Sequence, residues 1–344
     1  MYRNICIYGA GAIGGWLGAR LAALPDVRLS AVARGATLQA LRSHGLRLRS
    51  KNADGTEQET QHPLQASDNP AELGPQDLVI LAVKAPALAT VAPQLAPLLA
   101  PHTVVLTAMN GVPWWFLQGF GGALAGQTLH SVDPQGVIER SIAHTHVLGC
   151  VVHASCAVDA PGVVRQRFGN ELIIGEPSGT RSARAQALLA LLQAAGFDAT
   201  LSPQIQQDIW YKLWGNMTMN PLCALTGASA TPVLADPLVR DFASRVMLEA
   251  RDIGNRIGIP LADSPEERHQ VTAKLGNFSP SMLQDVQAGR AVEIDALVAS
   301  VRELGQLCGV ATPFTDVLLG LSRLHAQVRG LYPELAPAPA PSHT

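Results

Sequence analysis

Three polar residues recur at four-residue steps in the segment IWYKLWGNMTMNPL, namely Lys212, Asn216 and Asn220. A four-residue step is slightly more than one turn of an α-helix, so the spacing predicts that the three side chains share one helix face. The rest of the segment is mostly apolar, and an ammonium or amide group that is buried without a hydrogen-bond partner is costly. We therefore expect a polar partner at this face. The alternative is the solvated face of an amphipathic helix.

These three side chains suit chemistry at a carbonyl group. An ammonium group beside a carbonyl oxygen polarises the carbonyl, stabilises a developing alkoxide and can then give up a proton. Lys212 is therefore the candidate proton donor. Asn216 and Asn220 can hold a hydroxyl or carboxylate group of a substrate without adding charge.

A later segment, NFSPSMLQDVQAGRAVEID, supplies further polar groups. Ser279 followed by Pro280 predicts a helix N-cap with proline at the first helical position. Ser281 would then lie in the first turn, near free N–H groups that suit a carboxylate. Glu293 opens another predicted helix after the break at Gly289. The alternative for Glu293 is an ordinary acid at a helix start, favoured there by the helix dipole.

A glycine-rich segment near the N-terminus, ICIYGAGAIGG, predicts a dinucleotide-binding loop. It follows a predicted strand and opens a predicted helix, the context that makes the GxGxxG spacing informative. Gly9 permits a tight turn, Gly11 lets a pyrophosphate approach the backbone, and Gly14 lets the helix pack closely on the strand. The alternative is a glycine loop that serves packing alone. The predicted cofactor loop consists of Gly9, Ala10, Gly11, Ala12, Ile13 and Gly14.

The cofactor predicted for this loop is NADPH. At the end of the second predicted strand, where an Asp or Glu would accept the ribose 2′-hydroxyl group of NAD, the sequence AVARGAT has Arg34. A guanidinium group can pair with a 2′-phosphate. Lys84 after DLVILAV and Asn110 after TVVLTAM also lie at predicted strand ends, where open α/β folds bind ligands. The alternatives are a surface arginine, an unrelated lysine and a turn asparagine.

The elements that must position these residues change character along the chain. Short β-branched runs alternate with Ala- and Leu-rich helical stretches in the first half, a pattern typical of a parallel sheet flanked by helices. From about residue 204 only helical periodicity remains. We predict a dinucleotide-binding domain over 1–203, an all-helical domain over 204–332 and a flexible tail over 333–344, with the sequence PELAPAPAPSHT.

The composition fits a globular protein that acts on small molecules. The 344 residues are 47% hydrophobic and 15% charged, with a formal net charge of −2, and no run of Lys or Arg interleaved with aromatic residues indicates nucleic-acid binding. The five cysteines are scattered and show no metal-binding spacing, which favours reduced thiols and a cytoplasmic location. The sequence predicts neither a signal peptide nor a membrane span.

The chain resembles the ketopantoate reductase (2-dehydropantoate 2-reductase) family from residue 3 to about 330. GAGAIGG, VKAP, MNG, WYKLWGNMTMNPL and SMLQDVQAGRAVEID carry the resemblance, and the last two together are specific. It implies an α/β fold, with an N-terminal Rossmann-type domain and an all-α C-terminal domain of the 6-phosphogluconate dehydrogenase type. It also implies NADPH-dependent reduction of ketopantoate to pantoate in pantothenate and coenzyme A biosynthesis.

The resemblance assigns roles residue by residue. Lys212 takes the place of the family's proton donor, and Glu293 that of its active-site glutamate, so the resemblance implies that these two residues are catalytic. The implied substrate contacts are Asn110, Asn216, Asn220 and Ser281. The implied cofactor contacts beyond the glycine loop are Arg34, Lys84, Asn110, Ser155 and Glu293.

The sequence departs from the family pattern at two places. Ala230 stands where the family often has a further substrate-binding asparagine, so one substrate contact is missing. Trp114 and Trp115 make the stretch after Asn110 unusually aromatic; they would either reshape the mouth of the pocket or pack under a loop.

These departures leave other functions open. One is a reductase of another small 2-oxo acid with the same machinery, and the other is a regulator that binds NADPH without turnover, which would not need a proton donor at position 212. The assembly is open as well. A homodimer would pair exposed apolar faces of the helical domain, whereas a monomer would close that domain on itself.

Overall fold

The computed structural model describes residues 2–52 and 54–333. The chain divides into two compact units, one formed by Met1–Leu213 with Gly254–Pro260 and the other by Trp214–Ile253 with the described residues from Leu261 onwards. Of the predicted tail, residues 334–344 lie outside the described residues. Among the described residues, every helix is too short or too polar to traverse a bilayer.

Ten strands in the first unit form a single sheet with the order β4-β3-β9-β8-β7-β6-β1-β2-β5, and β10 pairs with β9. The strands are β1 Asn4–Tyr8, β2 Arg28–Val32, β3 Leu46–Lys51, β4 Glu57–His62, β5 Gln65–Ser67, β6 Leu78–Leu81, β7 Val104–Thr107, β8 Val147–Ala160, β9 Val163–Gly175 and β10 Asp198–Leu201. From β8 to β5 all neighbours are parallel, whereas β8 with β9 and β3 with β4 are antiparallel.

The expectation of a parallel sheet therefore holds from β8 to β5 and is wrong for the β8–β9 and β3–β4 pairs, which are antiparallel. The strands predicted from β-branched runs are present as β1, β2, β6, β7 and the start of β8. Strand β4 is the polar sequence EQETQH, and polar and charged residues separate the short apolar ends of β9, so neither strand is one continuous apolar run. The predicted fold class is nevertheless confirmed, since a Rossmann-type sheet domain precedes a helical part.

Helices cover the sheet of the first unit: α1 Ala12–Ala22, α2 Gly35–His44, α3 Leu88–Val91, α4 Val137–Ser141 and α5 Ala183–Ala194. One of the predicted Ala- and Leu-rich helical stretches, residues 86–99, is α-helical only in part, because α3 is a single turn followed by a 3₁₀ segment at Ala92–Leu98. Pro93 and Pro97 explain the difference, since proline has no N–H group for the α-helical hydrogen bond.

Helix α6, Ile205–Thr226, begins in the first unit and ends in the second. The predicted boundary after residue 203 precedes this helix, whereas the compact units divide inside it, after Leu213. The later helices are α7 Ala230–Ala235, α8 Pro237–Ile257, α9 Pro265–Lys274, α10 Ser281–Gln287, α11 Ser300–Cys308 and α12 Pro313–Val328, with a π-helical turn at Asp295–Ala299. No strand follows β10 among the described residues, as the sequence periodicity predicts.

The junction of β1 and α1 is so closely packed that it leaves no room for a side chain at Gly14. A Cβ atom there would lie 2.2 Å from the backbone oxygen of Gly9 and 2.9 Å from a side-chain carbon of Ile7. Gly11 differs, since a Cβ atom added to it would meet no atom within 4 Å. Packing thus requires a glycine at position 14 but not at position 11.

We predict that Gly14→Ala destabilises the first unit and that Gly11→Ala does not. The backbone oxygen of Gly9 cannot move away without distorting the turn, so Gly14→Ala should lower the free energy of unfolding by about 1–3 kcal/mol. Gly11→Ala should change it by less than about 0.5 kcal/mol. Urea denaturation of both variants measures this difference, and equal unfolding midpoints would contradict it.

Candidate active site

The glycine loop presents a helix N-terminus with open space in front of it. Gly9 has a φ of +99°, which favours glycine, and its N–H donates to the Val32 oxygen at the end of β2. Gly11 caps α1 without a side-chain hydrogen bond, and the first turn of α1 has no acidic residue. The free N–H groups and the positive end of the helix dipole suit a phosphate group. The geometry of Gly9, Gly11 and Gly14 therefore fits a dinucleotide.

Arg34 lies directly after β2 and is the N-cap residue of α2. Its side chain is exposed, and the first turn of α2 contains no acidic residue. Because β2 pairs with β1 in parallel, with Val32 opposite Tyr8, Arg34 and the glycine loop lie at the same edge of the sheet. A second anion can thus be bound beside the loop.

Three further predicted residues follow the neighbouring strands. Lys84 is half-buried and precedes a 3₁₀ turn at Ala85–Ala87, shortly after β6. Asn110 follows β7 and precedes Gly111, whose φ is +84°. Ser155 lies inside β8 opposite Phe168, where the pairing with β9 shifts register. Register shifts of this kind re-aim side chains and are common near active sites.

The ammonium group of Lys212 is fixed by two acceptors of the first unit. Lys212 is half-buried on α6, and its Nζ atom donates to Asn110 Oδ1 at 2.8 Å and to the backbone oxygen of Val152 at 2.8 Å. The polar partner expected for this residue is thus provided by the protein itself. Asn110 is more than a turn residue, because its side chain orients Lys212.

The Val152 oxygen is available because β8 is much longer than β7. The two strands pair only at Val147–Gly149, and β8 then continues past the end of β7 while paired with β9 alone. One edge of β8 therefore has carbonyl groups without a β7 partner from Cys150 onwards, among them that of Val152. Sequence patterns do not reveal this backbone acceptor.

The surroundings of Lys212 are poorly hydrated. Burial raises the pKa of the Cys150 thiol to about 12, although the positive charge of Lys212 acts in the opposite direction. Burial also raises the pKa of the Asp208 carboxyl group, which accepts a hydrogen bond from the Ser202 hydroxyl group and lies near His153. Asp208 precedes Lys212 by one more four-residue step. The spacing could therefore have identified Asp208 as a further polar residue on the same face of the helix.

In the second unit, Asn220 and Ser281 come together. Asn220 is buried, and its Nδ2 atom lies 3.5 Å from Ser281 Oγ, at the long limit of a hydrogen bond. The prediction for Ser279 is wrong, because α10 begins at Ser281 and its N-cap residue is Pro280, without a side-chain cap. Ser281 still occupies the first turn, as expected. Asn216 is half-buried, one turn before Asn220.

Glu293 is a buried carboxyl group at a helix start. It is 7% exposed, and its backbone oxygen accepts from Leu297 N within the π-helical turn. The residues that flank it, Val292 and Ile294, line one apolar cavity together with Pro221 and Met282. Since Pro221 follows Asn220 and Met282 follows Ser281, the three segments with predicted substrate contacts pack together in this unit.

The residues at both departures from the family pattern are buried in the protein interior. Trp114 and Trp115 are buried, and Trp115 packs so closely on Gly149 that a Cβ atom there would be 2.6 Å from the indole ring. The alternative of packing under a loop therefore describes them better than a pocket mouth does. Ala230 is buried at the start of α7, where its N–H donates to the Phe278 oxygen. A methyl group at this position offers no hydrogen bond.

Comparison with known proteins agrees with this arrangement. The family model for ketopantoate reductase PanE/ApbA matches residues 5–179, and the model for the C-terminal part of the same family matches residues 204–326. The chain belongs to the ketopantoate reductase family. The expected family and fold class are thereby confirmed.

Individual ketopantoate reductases resemble the chain over almost its whole length. A 2-dehydropantoate 2-reductase of Mesorhizobium japonicum is 45% identical over 329 residues, which are 96% of this chain and 99% of the relative. A crystal structure from Ralstonia solanacearum MolK2, provisionally named a ketopantoate reductase, is 54% identical with a TM-score of 0.91, over 96% of this chain and 100% of the other. A PanE/ApbA family ketopantoate reductase from Ralstonia eutropha JMP134 is 26% identical with a TM-score of 0.79, over 95% and 99% of the two chains.

Proposed function

We propose that the chain reduces the keto group of ketopantoate to give pantoate, with NADPH as the reductant and Lys212 as the proton donor. The observation that carries this proposal is the ammonium group of Lys212, fixed by Asn110 Oδ1 and the Val152 oxygen in poorly hydrated surroundings. An oriented ammonium group is the acid that a carbonyl reduction requires. The family to which the chain belongs supports the same reaction.

The proton transfer follows from this geometry. The residues Gly9–Gly14, Arg34 and Lys84 would hold the dinucleotide, whose contribution is the hydride for the keto carbon. Lys212 donates a hydrogen bond to the keto oxygen and stabilises the negative charge that develops there. It then transfers its proton to this oxygen, so that the ketone becomes a secondary alcohol. Asn110 keeps the ammonium group oriented throughout.

The remaining polar residues would hold the substrate. Asn216 and Asn220 follow Lys212 along α6, and their amide groups can bind the hydroxyl and carboxylate groups of ketopantoate without adding charge. Ser281 in the first turn of α10 offers a hydroxyl group beside Asn220. Glu293, which is buried, would accept a hydrogen bond from the substrate or the cofactor. Each of these roles rests on the family resemblance and on the burial described above.

NADPH is favoured over NADH by the charges at the end of β2. Arg34 takes the position of the acid that would accept a ribose 2′-hydroxyl group. It is also the N-cap residue of α2, whose first N–H groups have no side-chain partner. A guanidinium group and a helix N-terminus together suit a 2′-phosphate.

The second candidate function is the reduction of another small 2-oxo acid. Ala230 favours it, because this buried methyl group cannot replace the hydrogen bond of the asparagine that is frequent in the family. Loss of a polar contact changes which substrates a site selects. A regulator without turnover is the less favoured alternative, since the orientation of Lys212 by two acceptors would serve no purpose in it.

A homodimer is the assembly we propose. Helix α12 exposes four apolar side chains at alternating four- and three-residue steps, Val317, Leu321, Leu324 and Val328, and each is more than half exposed. A seam with this spacing is typical of paired helices.

Light scattering should show a dimer for the native chain and a monomer for the double variant Leu321→Glu, Leu324→Glu. The melting temperature of the variant should be unchanged. A monomeric native chain at micromolar concentration would refute the proposal.

Lys212→Ala should abolish most turnover and leave dinucleotide binding nearly intact. Removal of a general acid lowers kcat by about 10²–10⁴-fold, while the glycine loop is untouched. Cofactor absorbance measures the turnover, and fluorescence titration measures the binding. The control is Lys274→Ala, which removes an exposed lysine of α9. Unchanged turnover in Lys212→Ala would defeat the mechanism.

A panel of 2-oxo acids with NADPH tests the substrate. Ketopantoate should give the highest kcat/KM, ahead of pyruvate, 2-oxoisovalerate, 2-oxobutyrate and phenylglyoxylate. The same panel with Ala230→Asn shows whether the missing amide matters, since restored binding should raise kcat/KM for the hydroxylated substrate only. If ketopantoate were not reduced while another 2-oxo acid was, the second candidate function would replace the first.

A further inference from the structure

Arg34 is held by a glutamine from a distant part of the chain. Its Nη2 atom donates to Gln94 Oε1 at 2.9 Å. The same oxygen accepts from the Tyr8 hydroxyl group at 2.9 Å, and Gln94 Nε2 donates to the Thr90 oxygen at 3.0 Å. Gln94 belongs to the 3₁₀ segment Ala92–Leu98 and is half-buried. The amide thus connects the end of β1, the end of β2 and this segment.

The hydrogen bonds fix the orientation of the Gln94 amide. A guanidinium group can only donate and a backbone oxygen can only accept, so the amide oxygen must face Arg34 and the amide nitrogen must face Thr90. The Tyr8 hydroxyl group is the second donor to this oxygen, and burial raises its pKa. Tyr8 itself is 4% exposed and directly precedes Gly9. The oxygen of Gln94 therefore cannot turn away from Arg34 without losing two hydrogen bonds.

A neutral partner holds Arg34 without cancelling its charge. Several arginines of the first unit are paired with carboxylates, for example Arg49 with Glu59 at 2.6 Å and Arg165 with Asp159 at 2.8 Å. Arg20 and Arg42 donate to neutral oxygens, as Arg34 does. Within the described part of the chain, Arg34 makes no ion pair of this kind. A carboxylate at position 94 would repel an incoming phosphate, whereas the amide does not. The arrangement orients a long and exposed side chain that would otherwise sample many rotamers.

We propose that Gln94, supported by Tyr8, is a positioning residue that orients Arg34 toward the 2′-phosphate of the dinucleotide and so determines the preference for the phosphorylated cofactor. This inference rests on the proposed NADPH dependence. The structural alternative is that Gln94 only ties its 3₁₀ segment to the sheet. The two roles differ in one measurable respect: the positioning role affects ligands with a 2′-phosphate and spares ligands without it.

Calorimetric titration with 2′,5′-ADP and with ADP separates these roles without any need for turnover. The native chain should bind 2′,5′-ADP more tightly, and Arg34→Ala should remove the difference. Gln94→Leu should weaken the binding of 2′,5′-ADP by about 3- to 10-fold and the binding of ADP by less than about 2-fold. The larger change is the size expected for the loss of one hydrogen bond to a charged group. Tyr8→Phe, which keeps the ring and removes the hydroxyl group, should act in the same direction with a smaller effect.

Two further variants sharpen the test. Gln94→Glu introduces a carboxylate that pairs with Arg34 and repels the 2′-phosphate. It should therefore weaken the binding of 2′,5′-ADP more than Gln94→Leu does. In the Arg34→Ala background, Gln94→Leu should have no further effect, because it acts through the guanidinium group. The matched control is Gln39→Leu, the same substitution at an exposed position of α2. Thermal melting shows that each variant is folded.

The outcomes are distinguishable. Equal binding of 2′,5′-ADP and ADP by the native chain would overturn the cofactor proposal, and the role of Gln94 with it. A native preference that Gln94→Leu and Gln94→Glu both retain would overturn the role of Gln94 alone. Equal weakening of both ligands, or an additive effect in the Arg34→Ala background, would assign Gln94 to structure only. Should Gln94→Leu fold poorly, Gln94→Glu and Tyr8→Phe decide between the two roles by the same ratio.

Discussion

A half-buried ammonium group must be hydrogen-bonded, and this constraint on Lys212 determines much of the surrounding structure. Its acceptors, Asn110 Oδ1 and the Val152 oxygen, come from two neighbouring strands or their ends, more than 50 residues away along the chain. Asn110 lies shortly after the end of β7, from where its side chain reaches Lys212. The Val152 oxygen is accessible because β8 extends beyond the end of β7. The length difference between two adjacent strands is therefore part of the chemistry of the site.

The same constraint explains how the polar stripe of α6 can exist in a largely buried helix. Asn220 is buried and lies near the Ser281 hydroxyl group, and Asp208 accepts from Ser202. Pro221 interrupts the backbone hydrogen bonding of α6 directly after Asn220, since it cannot donate to the Met217 oxygen. Asn220 and Asp208 are thus matched by hydroxyl groups from outside the helix, which costs less than leaving an amide and a carboxylate unpaired.

Local patterns predicted the first strands, the helices of the second half and the glycine loop, because each depends on residues that are neighbours in sequence. They did not predict β9, which pairs with three other strands although charged residues interrupt its own sequence. Nor did they predict the acceptor at Val152, since every residue has a backbone oxygen and only the strand lengths decide which one is accessible. The prediction placed the N-cap of α10 at Ser279, one residue before the observed N-cap Pro280. It did so because serine is a common N-cap residue and proline a common first helical residue.

The cationic side chains of the first unit differ in the charge of their hydrogen-bond partners. Arg49, Arg165 and Arg184 bind carboxylates, so their charges are largely compensated. Arg34 is held by the amide of Gln94, and the two acceptors described for Lys212 are an amide and a backbone oxygen, neither of which carries a formal charge. A neutral acceptor fixes the direction of a cation and leaves its field to act on a ligand. In the proposed cofactor site, Arg34 would thus be oriented by Gln94 and would still be able to attract a phosphate group.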